Sequence, residues 1–225
     1  MTLQEKVADA LALLRSVADT YTPRRVAVAW TGGKDSTMVL HLWQTVLAAL
    51  PGKPPLRALN LDTGHKFPQI VAFRDQLASA WQVELHVARP DVDLATYPVA
   101  SDKVTCCRDL KVKPLLAGIR HMGIDVLLTG IRSDEHAQRA ARPQREPHTT
   151  PDHVRIHPLL AFAEMDVWAY TAMYNVPYCE LYTAGYRSLG CMPCTALVGA
   201  GGTERAGRDA DKETSMASLQ ALGYF

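Results

Sequence analysis

Neither sign of charge prevails in this sequence: 24 Lys and Arg face 23 Asp and Glu, a formal net charge of +1. Non-specific binding to nucleic acid or to a membrane surface therefore has no electrostatic support. No apolar run approaches the roughly 20 residues that span a bilayer. The first residues, with Glu5 and Asp9 among apolar neighbours, lack the charged-then-greasy layout of a secretion signal. There is no internal repeat and no low-complexity tract. Only five cysteines occur, unevenly placed, which argues against a disulfide framework. These absences leave a cytoplasmic protein as the expectation. With 225 residues, 48% of them hydrophobic, the chain suits one α/β domain over residues 1–200, followed by a tail over 201–225 that ends in a helix.

What is present centres on residues 26–36, VAVAWTGGKDS. Four small apolar residues and a tryptophan read as a buried strand; Gly32 and Gly33 make a turn; Ser36 opens a helix to about Leu50. Backbone N–H groups at such a turn point outward at a positive helix end, an arrangement suited to phosphate or sulfate. The glycines admit unusual φ and close approach, and Ser36 can cap the helix. The spacing is not G-x-x-x-x-G-K-[ST], because Asp35 follows Lys34 and Val28 stands where the first glycine would be.

Further strands are expected at Leu56–Leu61, Val83–Ala88, Val126–Gly130 and Val154–His157. They alternate with helices over Pro68–Trp81, Cys106–Met122 and Ala163–Asn175, after an amphipathic helix in the first twenty residues. Alternation of this kind predicts a mostly parallel sheet with helices on both faces, and ligands beyond the C-terminal strand ends. Loops 31–36, 62–66 and 130–142 meet that condition. Residues 131–153 carry Arg132, Arg139, Arg142 and Arg145 with few apolar residues. They read as a solvated loop that could clamp anion oxygens with its guanidinium groups. His148, His153 and His157 approach ligand spacing but read better as hydrogen-bonded histidines.

The cysteines fall into an adjacent pair, Cys106 and Cys107, a C-x-x-C, Cys191 and Cys194, and the single Cys179. Two pairs can hold Zn²⁺ or an iron–sulfur cluster. Adjacent side chains diverge, which suits separate iron corners better than one small ion. Nothing around Cys179 supplies a cation to lower its pKa, so it is only a weak candidate nucleophile.

Thr31 to Ser36 resembles the S-G-G-x-D-S loop of the PP-loop adenine-nucleotide enzymes. Cys106–Leu115 resembles the C-C-x-x-R-K-x-x-P-L segment of the adenosine 5′-phosphosulfate reductases, and Gly185–Thr195 their G-Y-x-S-I-G-C-x-P-C-T segment. Asp62-Thr63-Gly64, Thr129–Asp134, His157-Pro158-Leu159 and Asp166-Val167-Trp168 are similar to further motifs of that family, so the likeness covers about residues 25–196. It implies a [4Fe–4S] cluster on Cys106, Cys107, Cys191 and Cys194, with Lys111 as the basic residue beside it. Leu110 departs from the pattern there. The nucleotide or sulfate would meet Thr31, Gly32, Gly33, Lys34, Asp35, Ser36, Asp62, Thr63, Gly64, Gly130, Arg132 and Asp134. The implied reaction is reduction of adenosine 5′-phosphosulfate to sulfite and AMP, with thioredoxin as donor.

The family's nucleophile lies in an E-C-G-x-H tail, whereas no cysteine follows Cys194, so no catalytic residue is assigned. Thr203–Arg208 is similar instead to the S-E-R-x-G-R end of ATP sulfurylase catalytic subunits. That likeness keeps open an ATP-dependent adenylyl transferase using Mg²⁺, and a non-catalytic, cluster-carrying partner or redox sensor is a third possibility.

Overall fold

Val26, Ala27, Val28 and Ala29 are all buried, as a strand covered on both faces must be. In the computed structural model, which describes residues 1–199 and 201–224, this strand (β1, Val26–Ala29) lies near the middle of a six-stranded sheet. The domain boundary expected at residue 200 falls outside the described residues. Strands β2 (Arg57–Leu61), β3 (Glu84–Ala88), β4 (Val126–Leu128), β5 (Arg145–Thr149) and β6 (Asp152–Ile156) complete the order β3-β2-β1-β4-β6-β5. Every pairing is parallel except β5 with β6. The architecture is the expected α/β sheet with helices on both faces.

Side-chain size along β1 sorts the two faces. Val26, Val28 and Trp30 point to one face, where α1 (Leu3–Thr20), α2 (Lys34–Ala48), α3 (Pro68–Ala80) and α7 (Glu164–Met173) build the larger core. Ala27 and Ala29 point to the other, where α5 (Lys113–Met122) packs closely. Gly118 on α5 comes so near the sheet that a Cβ there would lie 2.7 Å from Leu59 Cδ1. The first helix begins with a Thr2/Glu5 capping box and is tied to α7 by Lys6–Asp166, 2.5 Å.

Three expectations are corrected. The helix expected over Cys106–Met122 is α4 (Lys103–Cys107), a π-helical turn (Arg108–Val112) and then α5. Pro114 has no N–H to give and would crowd the preceding turn; widening that turn, with Lys113 N–H on the Arg108 carbonyl, absorbs the misfit. The solvated loop expected over 131–153 contains α6 (Ala137–Ala140) and β5. Pro147 and the polar neighbours hid this strand, but an edge position tolerates both. The last helix is broken at Ser215 into α8 (Ala210–Thr214) and α9 (Met216–Ala221). Among the described residues no helix is long and apolar enough to cross a membrane.

Candidate functional site

Strand order reverses between β1 and β4: β2 and β3 lie to one side, β6 and β5 to the other. The loops after β1 and β4 diverge there and leave a crevice at the C-terminal strand ends. A cavity partly open to solvent fills it. Thr31, Gly33, Lys34, Asp35 and Ser36 form one wall; Thr63 and Lys66 follow β2, Gly130 follows β4, and Lys111 comes from the π-helical turn. All three expected loops thus reach one place.

Within the bend, Thr31 N–H donates to Ser36 Oγ (3.1 Å), Gly33 N–H to Thr31 Oγ1 (3.3 Å), and Ser36 Oγ to the Gly33 carbonyl (3.0 Å). Gly32 takes a φ of +81° and turns its back on Ile70. Lys34 N–H donates to the Tyr182 hydroxyl at 2.9 Å, so the expected row of outward amides is partly answered from inside the chain. Gly130 lies against the bend's own backbone: a Cβ there would be 2.8 Å from Asp35 C and from Ser36 N.

The charges form a web. Lys34 Nζ lies 3.1 Å from Asp35 and also pairs with Glu204. Arg132, fully buried, pairs with Asp35 and Glu204 and lies 3.0 Å from Asp134. Burial alone would push the Lys34 pKa down, but the charges of Asp35, Tyr182 and Glu204 hold it above its ordinary value. Arg132, expected to clamp ligand oxygens, is taken up in this state by Asp35, Asp134 and Glu204 and does not line the cavity. Arg139 and the unforeseen Arg205 and Arg208 line the cavity instead. Arg145 points away, to Ser16 on α1 (2.9 Å), and Arg142 donates to the Tyr224 carbonyl (3.1 Å). Asp62 accepts from Gly64 N–H (3.0 Å), shaping the turn after β2, and lies 3.7 Å from Arg74.

Glu135 is gripped by Arg139 and Arg205 and accepts from Arg132 N–H. Burial would raise its pKa, but Arg139, Arg132 and Arg205 outweigh it and hold it at about 2, against an ordinary 4.5. A depressed carboxyl contributes stability that is complete above the unfolded value and lost as pH falls toward the folded one. The loss therefore belongs to the window from pH 4.5 down to 2. Glu135→Gln is expected to flatten the decline of the urea midpoint across that window; an identical decline in the variant refutes the assignment.

The two cysteine pairs stand behind Lys66 and Lys111, which line one end of the cavity. Cys107 ends α4, Cys191 forms a β-bridge with Lys66, and Met192 N–H donates to the His65 carbonyl at 2.8 Å. The Cys106 thiol is raised by burial first and by Cys107 and Cys191 in turn, so both pairs share one electrostatic neighbourhood. Cys107, Cys191 and Cys194 are buried. Around them stand Lys66, Lys111, Lys212 and Arg208, while the nearby Asp209 and Glu213 pair with Lys103 and Arg205. Thr63 Oγ1 is 3.3 Å from Cys191 Sγ. Burial would raise the Cys191 thiol, but Lys111 and Lys66 bring it down to about 6.

Among the described residues no carboxylate pairs with Lys111 or Lys212, whose opposite charge comes from Tyr224 and the cysteines; buried cations call for an anion, and a thiolate-bound cluster would be one. Tetrahedral zinc needs sulfurs about 3.8 Å apart, from a Zn–S bond of about 2.3 Å. Among the described residues no three cysteine sulfurs lie within 4.8 Å of one another; Asp35, Glu135 and Glu204 are the group that does. Four thiols drawn from two pairs are a donor set that an iron–sulfur cluster takes.

Cys179 sits in an apolar pocket with Ile70 and Leu181, and burial raises its pKa. Cys179→Ala is expected to leave any sulfite release unchanged; loss of sulfite release in a variant that keeps its melting temperature would reinstate the thiol. The three histidines are hydrogen-bonded or stacked: His157 to Thr129 (2.6 Å) and Glu146 (3.2 Å), His153 to the Pro151 carbonyl (2.7 Å), and His148 against His153. Lys66, Tyr182, Glu204, Arg205, Arg208 and Tyr224 escaped the sequence reading as site residues. Only the T-E-R-A-G-R run at 203–208 carried a signal for any of them.

Residues 25–197 match the sequence model of the phosphoadenosine phosphosulfate reductase domain. An adenosine 5′-phosphosulfate reductase of Streptomyces coelicolor is 32% identical over 219 residues, covering 94% of this chain and 88% of that protein. Sulfate adenylyltransferase subunit 2 of Streptomyces lavendulae is 29% identical over 81% of this chain, and the match spans 63% of its own length. Among solved structures, the phosphate complex of phosphoadenylyl-sulfate reductase from Candida auris superposes with a TM-score of 0.70 at 24% identity. It covers 84% of this chain and 90% of that one, a likeness of fold.

Proposed function

Since the chain belongs to the phosphoadenosine phosphosulfate reductase domain family, we propose that it binds adenosine 5′-phosphosulfate and carries a [4Fe–4S] cluster on Cys106, Cys107, Cys191 and Cys194. One observation carries this reading: a single cavity runs from the glycine bend to Lys66 and Lys111, the two lysines whose charge acts on Cys191, and is lined on the way by Arg139, Arg205 and Arg208. An adenosine bearing a phosphosulfate has a charged end of the right sign for those guanidinium groups. Lys66 and Lys111 hold positive charge where that end approaches the cysteines. The cluster would supply the compensating negative charge for these buried lysines.

Reduction to sulfite and AMP proceeds in this reading by attack of a thiolate on the sulfur, with AMP leaving. A second thiol then displaces sulfite and the two thiols become a disulfide. A dithiol protein such as thioredoxin accounts for both electrons. Cys179, walled off by Ile70 and Leu181, takes no part.

A second reading is favoured by the carboxylate group. Asp35, Glu135 and Glu204 each offer an oxygen within 4.8 Å of the others, a donor set suited to a hard cation such as Mg²⁺. In that reading the bend holds the β,γ-phosphates of ATP, sulfate attacks the α-phosphorus and pyrophosphate leaves. One anaerobic preparation separates the two. Absorbance near 400 nm with sulfite and AMP formed from adenosine 5′-phosphosulfate and reduced thioredoxin supports the first. Mg²⁺-dependent exchange of pyrophosphate into ATP without sulfite replaces it with the second. A colourless protein with stoichiometric zinc removes the cluster.

A further inference from the structure

The cations that a phosphate or sulfate would seek at the glycine bend are already answered by one carboxylate from the far end of the chain. Glu204 places one oxygen on Lys34 Nζ and the other on an Arg132 guanidinium nitrogen. Lys34 and Arg132 are essentially sealed from solvent in this state. Tyr182 meanwhile covers the Lys34 amide. Glu204 is therefore seated between an ammonium and a guanidinium, the partners a ligand oxyanion would choose.

The segment that carries Glu204 is a run of turns, with no helix or strand of its own. It follows Gly199, Gly201 and Gly202; a side chain at Gly199 or Gly201 would meet nothing within 4 Å, and Gly201 has a φ of +81°. Beyond Glu204 the segment is tied to its surroundings by Ala196 N–H on the Gly207 carbonyl (2.8 Å), a β-bridge between Thr195 and Arg208, and Arg205 on Glu213 (2.7 Å) and Glu135 (3.6 Å).

We propose that Glu204 is an internal stand-in for a ligand oxyanion, and that an anion entering the bend takes its place on Lys34 and Arg132 by displacing residues 203–208 about Gly201 and Gly202. The inference rests on the nucleotide-cleft reading and extends it: the same segment carries Arg205 and Arg208 in the cavity wall, so displacing Glu204 repositions both guanidinium groups toward the bound anion. The device makes the empty cleft self-neutralised and the occupied one rearranged.

The test uses the full chain and inorganic pyrophosphate, followed by calorimetry and hydrogen exchange. Glu204→Gln keeps the side chain's shape and one acceptor oxygen but removes the competing charge. It is expected to bind pyrophosphate about tenfold or more tighter than the unaltered chain, because one buried negative charge no longer opposes the anion. In the unaltered chain, pyrophosphate is expected to speed amide exchange over 203–208, whereas simple docking onto a fixed wall would slow it. Equal or weaker binding by the variant, or slower exchange over 203–208 on binding, overturns the inference while leaving the cleft reading intact. No binding by either protein removes both. The exchange measurement needs no substitution and stands even if Glu204→Gln lowers the melting temperature.

Discussion

Gly130→Ala abolishes ligand binding in the cleft, with at least about a hundredfold loss of affinity, or about 2.7 kcal/mol, while the sheet stays folded. The reason is what a Cβ would strike. It would lie 2.8 Å from Asp35 C and Ser36 N and 3.1 Å from Asp35 O, all backbone atoms of the bend. A side chain struck at its tip can rotate away, but a backbone at the start of α2 moves only with the turn that precedes it. Relief requires the loop after β4 to part from the bend, which shifts the amides and the Ser36 hydroxyl together. Overpacking of this kind costs about 1–3 kcal/mol, so the melting temperature falls by roughly 2–12 °C in a chain of this size. Gly118→Ala is the comparison. Its Cβ would meet the Leu59 side chain at 2.7 Å and Ala88 at 3.4 Å, so it lowers the melting temperature and spares binding. Equal binding by Gly130→Ala and the unaltered chain would mean that the bend does not hold the ligand.

How much of this was legible in the sequence depends on the range of the interaction concerned. The run from Val26 to Ser36 announced strand, bend and helix, because each is a local decision of neighbouring residues, though the helix starts at Lys34 with Gly33 as its cap, and Ser36, expected to cap it, donates to the Gly33 carbonyl instead. The same holds for Pro68 at the first turn of α3 and for the alternation of strands and helices. The partners of the bend were not legible. Lys34 meets Tyr182 148 residues later and Glu204 170 residues later. No periodicity near Glu204 distinguishes it from a solvated acid on a turn. Arg132 shows the converse. Its motif marked it as part of the site, but its burial between Asp35, Asp134 and Glu204 is a property of the assembled loops. β5 was hidden because Arg145–Thr149 has the composition of a loop, and only the free edge beside β6 makes it a strand. The cysteines fall between these cases. Their pairing in sequence was plain, whereas the ring of Lys66, Lys212 and Arg208 around them was not, since each arrives from a different element.

That ring, and the tail that helps build it, leads to the second large effect. On the proposed cluster, Leu219→Asp is expected to make a chelator strip iron from the reconstituted protein about a hundredfold faster, with little change in the unfolding of the sheet. Leu219 and Met216 are buried against Cys107, together with Val104 and Tyr224. The start of the same tail reaches the other pair: Asp209 N–H donates to the Cys194 carbonyl (3.3 Å), and Asp209 holds Lys103 on α4 at 2.9 Å. Lys212 Nζ lies 3.1 Å from the Tyr224 hydroxyl, and Lys111 rests over the Tyr224 ring. One short segment thus touches both cysteine-bearing segments and two of the lysines between them. The main core, formed by β1, β4, α1, α2 and α7, includes none of these tail residues. An unpaired carboxylate in place of a buried leucine costs about 3 kcal/mol or more. Because α8 and α9 can open without the sheet, that cost falls on local opening rather than on global unfolding. Opening exposes Cys107 and loosens Cys194 together, and a 3 kcal/mol change in its equilibrium is a factor of about 100 or more in the exposed fraction. Decay of absorbance near 400 nm in the presence of a chelator, followed beside thermal unfolding, measures both terms. An unchanged decay with an unchanged melting temperature would show that the cysteines hold their iron without the tail.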